Sequence, residues 1–154
     1  MIVLLDANIV LRTIDTSAPL RPVARSAVDA LRIRGCIPCI VPQTLYEFWV
    51  VATRPLDKNG LGLSAPDCIQ EVATLKRYYP LLLDSELLYS TWELLVSERL
   101  CHGKVAHDAR YVAAMRTHQI TQLLTFNRAD FTRYPDITIL DPHTIASATS
   151  GIIA

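Results

Sequence analysis

The sequence predicts an α/β domain in which helices cover both faces of a central parallel sheet. Short apolar runs typical of buried strands alternate along the chain with longer segments that have helical periodicity. Strands separated by helices favour parallel pairing, because parallel strands need a crossover connection. The 154 residues fit one domain and can bury a sizeable core.

The N-terminal half predicts two strands and four helices. Residues 2–5 are apolar and mostly branched, which predicts a buried strand, and a second strand is predicted at 36–41. The expected helices are marked by Gly35 as a C-terminal cap, Pro42 in a first turn and Ser64 as an N-cap. They cover residues 7–15, 21–35, 42–54 and 65–79.

The C-terminal half continues the alternation. We predict a short strand at 80–84, helices at 85–100 and 107–119, and strands at 122–126 and 136–140. No internal repeat, low-complexity tract or linker interrupts the sequence. We therefore expect one domain over residues 1–145, followed by a loosely held tail over 146–154.

Composition excludes several classes of function. The chain has 15 Lys and Arg and 15 Asp and Glu, so it lacks the basic footprint of a duplex DNA binder, and any nucleic-acid contact must be local. No apolar run approaches the ~20 residues of a membrane span, and the start has no signal-peptide pattern. We expect a cytoplasmic protein whose four cysteines are reduced thiols. The high apolar content, 51%, is compatible with an oligomer interface.

Asp6 follows the first strand directly. Ligands of open α/β sheets bind at the carboxyl ends of strands, so Asp6 is a candidate ligand-binding residue. The alternative is that Asp6 only caps the helix that begins at Ala7.

Glu47 lies in a predicted helix that is apolar almost all round, so we expect it to be buried. The residues three and four positions away are not basic, and no local ion pair is available. A buried carboxylate without a partner is costly, so a distant group must stabilise it. The structural alternative is a long-range hydrogen bond to an arginine or a tyrosine.

Three further candidates lie later in the chain. Asp108 opens a helix and shares its face with an apolar stripe, although an acid at this position is also favoured by the helix dipole alone. Asn127 and Asp130 follow a predicted strand, where either residue can shape the turn or cap a short helix.

A doubly wound fold can bring these acids to the same sheet edge. Two unit charges ~4 Å apart repel by about 4 kcal/mol at an effective dielectric of 20, so convergence requires protonation or a bound cation. Oxygen ligands alone suit a hard ion such as Mg²⁺, with Mn²⁺ as a substitute.

Four segments, read together, resemble the PIN-domain ribonucleases and, among them, the VapC-type toxins of toxin–antitoxin pairs. They are DAN at 6–8, LYEF at 45–48, HDARYVAAM at 107–115 and LLTFNRADFTRYPDI at 123–137, and TRPLDKNGLGLS at 53–64 resembles a loop of one branch of that family. The resemblance runs from residue 1 to about residue 145 in the family's motif order.

The resemblance implies a three-layer α/β/α PIN-like domain and an Mg²⁺-dependent endoribonuclease. Asp6, Glu47 and Asp108 match the family's first three acids, with Asp6 and Asp108 as the principal metal ligands. The family's fourth acid is replaced by Asn127, which leaves open whether Asp130 compensates. The implied partners are an RNA substrate, a VapB-like antitoxin and a second copy of the chain. Supporting residues are Asn8 and Thr125, which match positions that orient ligands.

Phosphate contacts must come from basic residues near the proposed site. The candidates are Arg12, Arg54, Lys58, Lys104, Arg128 and Arg133, of which Arg12 and Lys104 are preferred. Single-stranded or looped RNA is the favoured substrate, because specific readout uses splayed bases.

Alternative interpretations start from single features. One alternative is a PIN-like domain that binds RNA or protein without cleaving RNA, because Asn127 replaces the fourth acid. Another is a haloacid-dehalogenase-type phosphatase, but this family resembles the sequence only at Asp6. His107 is either a general base or incidental. A zinc site would use the Cys36–Cys39 pair with Cys101 and His102, but the second pair does not match the first.

Overall fold

The computed structural model describes residues 1–148, and these form a four-stranded parallel sheet with helices on both faces. The strand order is β2-β1-β3-β4, with β1 (Ile2–Leu5), β2 (Ile37–Cys39), β3 (Gln122–Leu124) and β4 (Thr138–Leu140). The helices are α1 (Ala7–Ile14), α2 (Arg21–Ile33), α3 (Pro42–Thr53), α4 (Ala65–Tyr78), α5 (Leu88–Glu98), α6 (Val105–Thr117), α7 (Arg128–Phe131) and α8 (Pro142–Ser147). The predicted α/β/α class is confirmed.

Alternation along β1 separates two apolar cores. Val3 and Leu5 pack on one face of the sheet with residues of α1, α2, α3 and α4. Leu4 points to the other face and packs with residues of α5, α6 and α7. Successive side chains of a strand point to opposite faces, so a strand buried on both sides is apolar throughout, as the sequence of β1 predicts.

Local capping explains where several helices begin and end. The Ser64 hydroxyl accepts a hydrogen bond from the amide of Asp67 at 3.2 Å, which makes Ser64 the N-cap of α4. Gly35 follows α2 with φ of +75°, a left-handed conformation that a residue with a side chain adopts only at a cost. Pro42 occupies the first position of α3, where no amide hydrogen is needed.

Some predicted elements differ from the structure. Residues 80–84 do not form a strand, because only Leu81 pairs, through one isolated bridge to Ile40. The helix predicted from residue 85 begins at Leu88, and the helix that holds Asp108 begins earlier than expected, at Val105. The structure also contains α8, which was not predicted. Within residues 1–148, no helix is long and apolar enough to cross a membrane.

The end of the predicted domain falls inside α8. This helix runs to Ser147 and packs on α2, so residues 146 and 147 are helical. The remainder of the predicted tail, residues 149–154, lies outside the described residues.

The strand order makes the carboxyl ends of β1 and β3 the expected ligand-binding position. The chain leaves β1 toward β2 on one side, while β3 and β4 lie on the other side. Connections that run in opposite directions from adjacent strands leave an opening at the carboxyl ends of those strands. The amide of Asp6 still donates to the carbonyl of Leu124 at 3.1 Å, so the side chains that follow β1 and β3 begin side by side.

Candidate active site

Asp6 is the most deeply buried acid at this sheet edge. It is the N-cap of α1 and only 6% exposed. Its Oδ2 accepts hydrogen bonds from the Asn8 side-chain amide and from the Thr125 hydroxyl, both at 2.6 Å. Its Oδ1 has only a contact of 3.5 Å with the amide of Asn8. Oδ2 is thus held by two hydrogen bonds, while Oδ1 is available to a ligand. Asp6 can therefore bind a ligand in addition to capping α1.

Asn8 and Thr125 form the frame that orients Asp6. The Asn8 side-chain oxygen accepts from the backbone amide of Phe126 at 3.2 Å, and its side-chain nitrogen also lies 3.1 Å from the Thr125 hydroxyl. That hydroxyl in turn accepts from the amide of Asn127 at 2.9 Å. These bonds connect the end of β1 to the segment after β3, because Asn8 bonds to Thr125 and Phe126, and Thr125 bonds to Asp6.

Glu47 approaches the same edge from α3. Its Oε1 accepts from the Gln43 side-chain amide at 2.8 Å, and its Oε2 accepts from the hydroxyl of Tyr111 at 3.4 Å. The same tyrosine oxygen accepts from the backbone amide of Ala7 at 3.3 Å, which links Glu47 to the start of α1. Two neutral donors, Gln43 and Tyr111, therefore contact Glu47. The bond from Tyr111 is the long-range tyrosine hydrogen bond that the structural alternative for Glu47 requires.

The expectation that α3 is buried all round is wrong. Tyr46 is 61% exposed and Val50 is 55% exposed, and Glu47 itself is half-buried. One face of α3 contacts the core through Phe48 and Ala52, while the face with Tyr46 and Val50 is apolar and open to solvent. Apolar composition alone does not distinguish a buried face from an exposed apolar one.

Asp108 lies in the first turn of α6, facing the other acids. Its Oδ2 is buried and has no hydrogen-bond partner, one of two such side-chain atoms found in residues 1–148. The charges of Asp130 and Glu47 act on it unfavourably, and that of Lys104 favourably. A buried carboxylate oxygen that accepts no hydrogen bond destabilises the folded protein. A bound ligand would remove this cost, so Asp108 Oδ2 marks a candidate ligand position.

Asn127 and Asp130 lie after β3, at the beginning of α7. Asn127 is exposed and is the N-cap of α7 without making a side-chain cap bond, whereas Asp130 is close enough for its charge to act on Asp108. Of the two preferred basic residues, Arg12 donates to the Asn8 carbonyl at 3.1 Å, and its guanidinium lies 4.8 Å from the centre of the Phe126 ring. Arg12 thus lies beside Asn8, and Lys104 is close enough for its charge to act on Asp108.

The acids are coupled electrostatically. Burial raises the pKa of Asp6 from 3.8 to about 6, with the charge of Glu47 raising it further and the Thr125 hydrogen bond opposing the rise. Burial, followed by the charge of Asp130, raises the pKa of Asp108 from 3.8 to about 6. Both shifts have the sign expected of carboxylates that are removed from water close to other negative charges.

The donor set fits a hard divalent cation that retains water ligands. Within residues 1–148, no group of three or more His, Cys, Asp or Glu side chains could hold a metal ion. Asp6 and Asp108 offer two carboxylates, and Asn127 offers an amide oxygen at the same strand edge. Mg²⁺ is bound through one or two carboxylates and keeps several waters, whereas a structural zinc site needs four protein ligands.

The cysteines do not form the alternative zinc site. All four are free thiols. Cys39 packs into the core on the α6 side of the sheet and Cys36 against the core on the α1 side, so the pair does not face one ligand. Burial raises the pKa of the Cys39 thiol to about 12, which disfavours the thiolate that a metal requires. Cys101 instead lies 3.9 Å from the Tyr134 hydroxyl.

Sequence reasoning missed Gln43, Tyr111 and Arg110. In the sequence, Gln43 is one of the non-basic residues four positions from Glu47, and Tyr111 belongs to the apolar stripe that shares a face with Asp108. Both are buried polar groups, at 4% and 2% exposure. The signal available in the sequence was the spacing of four between Gln43 and Glu47, which places their side chains together on a helix.

The comparisons with known proteins identify the fold. No family model matches the sequence, and no curated protein matches it. A chain of VapBC2 from Rickettsia felis, solved bound to a DNA fragment from their promoter, is 16% identical with a TM-score of 0.66, over 92% of this chain and 98% of that one. A chain of a toxin–antitoxin complex from Klebsiella pneumoniae is 21% identical with a TM-score of 0.60, over 91% and 97%.

A third similar structure is VapC20 of Mycobacterium tuberculosis, a toxin that cleaves the Sarcin-Ricin loop. It is 16% identical with a TM-score of 0.55, over 79% of this chain and 86% of that one. The chain therefore has the fold of these toxin–antitoxin proteins along nearly its whole described length.

Proposed function

We propose that this chain is a metal-dependent endoribonuclease, the toxin of a VapBC-type toxin–antitoxin pair. The observation that supports this most directly is that Glu47 lies close enough for its charge to act on both Asp6 and Asp108, and that Asp108 Oδ2 is buried without a partner. The fold adds support, since its neighbours include VapBC complexes and a toxin that cleaves the Sarcin-Ricin loop.

Asp6 and Asp108 would hold Mg²⁺, with Mn²⁺ as a substitute. The cation supplies, when bound, positive charge that neutralises the carboxylates and the phosphodiester and acidifies a water molecule. Asn8 and Thr125 keep one oxygen of Asp6 occupied, so the other oxygen faces the ligand in a fixed direction.

The reaction is hydrolysis of an RNA phosphodiester. Glu47 orients a water molecule for attack on phosphorus and accepts its proton; the bond to the 3′-oxygen breaks, and the leaving oxygen takes up a proton from solvent. The products carry a 5′-phosphate and a 3′-hydroxyl, and the 2′-hydroxyl takes no part. Whether Asn127 or Asp130 serves as the fourth site residue follows from which substitution lowers the rate.

Arg12 and Lys104 are the proposed phosphate contacts. Arg12 is held beside the site by the Asn8 carbonyl, and the charge of Lys104 acts on Asp108. With equal numbers of basic and acidic residues in the chain, such local contacts must supply the attraction for RNA. Single-stranded or looped RNA is the proposed substrate class.

The proposed partners are a VapB-like antitoxin and a second copy of the chain, in the cytoplasm. The C-terminal segment of the antitoxin would cover the acidic site. The exposed apolar face of α3, with Tyr46 and Val50, is the kind of surface that association would bury.

The test is cleavage of total cellular RNA by the purified protein in Mg²⁺ and in chelator, with 5′-end mapping. We expect discrete 5′-phosphate ends that need the metal and disappear in Asp6→Asn and Asp108→Asn. Asp29→Asn is the matched control, because Asp29 is 65% exposed on α2, away from the site. Equal cleavage by Asp6→Asn and the control would reject the proposal.

A PIN-like module that binds RNA or protein without cleavage is the second candidate. It is favoured by Asn127 in place of a fourth acid and by the lack of a three-residue metal-binding group within residues 1–148. Tight RNA binding without any metal-dependent ends would support this candidate over the nuclease.

A further inference from the structure

Gln43 occupies a buried position between Glu47 and Arg110. Its Nε2 donates to Glu47 Oε1 at 2.8 Å and to the backbone carbonyl of His107 at 2.9 Å. Its Oε1 accepts from Arg110 Nη1 at 3.2 Å. The side chain is 4% exposed, so all of its hydrogen-bonding groups have protein partners that water cannot easily replace.

The direction of the Gln43 amide is determined by its partners. A guanidinium can only donate and a carbonyl can only accept, so the amide oxygen must face Arg110 and the nitrogen must face His107 and Glu47. The opposite orientation would place two acceptors against one another and two donors against one another. Arg110 and the His107 carbonyl therefore together require that an N–H group of Gln43 points at Glu47.

Arg110 is itself anchored at its far end. Its Nη2 lies 2.5 Å from Asp84 Oδ2, with the two side chains 26% and 32% exposed. An ion pair this exposed contributes little to stability. Its effect is to hold the guanidinium in one place, from which the other nitrogen reaches Gln43.

We propose that Arg110 and Gln43 are positioning residues for Glu47, acting through this hydrogen-bonded chain from Asp84. The chain connects α3 to α6, and the His107 carbonyl that Gln43 contacts directly precedes Asp108. It therefore fixes the two helices that hold two of the three acids relative to one another. This inference rests on the proposed function, because positioning matters only if Glu47 takes part in a reaction.

A second reading of Arg110 must be separated from this one. Arg110 and Gln43 line a groove of about 520 Å³ together with Glu47, Tyr46 and Arg54. An arginine in such a groove could contact an RNA phosphate directly. A phosphate contact changes RNA affinity and its salt dependence, whereas a positioning residue changes the rate of the bound complex.

Arg116 provides a matched control on the same helix. It pairs with Asp136 through two bonds, of 2.8 and 3.1 Å, and is 32% exposed, but it does not contact Gln43. The experiment compares Arg110→Met, Gln43→Met and Arg116→Met in full-length protein. It measures kcat and KM on a short single-stranded RNA at several salt concentrations, and the side-chain amide NMR signals of Gln43 without metal.

The expected result is that Arg110→Met and Gln43→Met each lower kcat about tenfold with KM nearly unchanged, as misplacement of a reacting group does. Arg116→Met should match the wild type. The Gln43 amide signals should shift in Arg110→Met and stay in place in Arg116→Met.

Two results would overturn the proposal. One is a raised KM with a shallower salt dependence in Arg110→Met, which would make Arg110 a phosphate contact. The other is unchanged Gln43 amide signals in Arg110→Met. If the wild type does not cleave RNA at all, the proposed function fails, and the NMR comparison alone still decides whether Arg110 orients Gln43.

Discussion

Replacing Asp6 with asparagine should stabilise the metal-free protein at neutral pH. The pKa of Asp6 is raised by burial from 3.8 to about 6, so the folded state binds a proton more tightly than the unfolded state. Ionising the buried carboxyl then costs stability as the pH rises from about 4 to about 6, and the full cost applies above that range. An asparagine has the shape of the protonated acid and avoids this cost.

The magnitude follows from the shift. About two pKa units correspond to about 3 kcal/mol at pH 7, and to about 0.5 kcal/mol at pH 4, where the folded state is already protonated. The asparagine oxygen can still accept from Asn8 and Thr125, so the hydrogen bonds at Oδ2 need not be lost. The expected gain is therefore large at pH 7 and small at pH 4.

The assay is urea unfolding of wild type, Asp6→Asn and Asp29→Asn in chelator at pH 7 and pH 4. Asp6→Asn should raise the free energy of unfolding at pH 7 by up to about 3 kcal/mol, and Asp29→Asn should change it by less than about 0.5 kcal/mol. A gain that is equal at both pH values, or a loss of stability at pH 7, would refute the assignment of Asp6 as a destabilising buried charge.

Three further predictions concern the groups around the site. Tyr111→Phe should lower the free energy of unfolding by about 1–3 kcal/mol in urea titration, because the amide of Ala7 loses its partner, while Tyr46→Phe at an exposed position should have no effect. Asn8→Ala should cost about 1–3 kcal/mol in the same assay and abolish cleavage, since the Phe126 amide and Asp6 both lose a partner; full cleavage by this variant would contradict the frame. Asp136→Asn should lower stability at pH 7, because the Arg116 hydrogen bond lowers the pKa of Asp136. Its contribution is present above pH 3.8, so the effect of the substitution should shrink as the pH falls below that value. A loss that persists at low pH would point to packing instead.

Local patterns predicted most of the fold. The buried strand Ile2–Leu5 could be recognised from its branched apolar run, and Gly35 and Ser64 marked helix boundaries because the backbone there needs a left-handed residue or a capping hydroxyl. The strand order, with β1 next to β3, was not evident from any segment, since it depends on which strands pair.

The missed elements had weak local signals. The segment of α8 is only six residues long and has no apolar periodicity, although Asp141 caps it through the amide of His143 at 2.7 Å. Residues 80–83 have the apolar composition of a strand, but only Leu81 pairs, through the bridge to Ile40, and Leu83 is 67% exposed.

The candidate site was predicted as a set of residues and not as a geometry. Asp6 stood out because it follows a buried strand, Glu47 because its helical neighbours are not basic, and Asp108 because it shares a face with an apolar stripe. These are properties of the sequence. Gln43 and Arg110 did not stand out, because their importance arises from contacts between α3 and α6, 67 positions apart in the chain. Long-range polar contacts of this kind require the packed structure.

The most direct test of the central claim, that these acids converge to hold a hard cation, is Mn²⁺ binding measured by calorimetry on the metal-free protein. We predict that the wild type and Asp29→Asn bind Mn²⁺ with equal affinity and that Asp6→Asn and Asp108→Asn each weaken binding at least about tenfold, because each removes a charged ligand. Binding of Mn²⁺ by both site variants with the affinity of the wild type, or no binding by the wild type, would contradict the account.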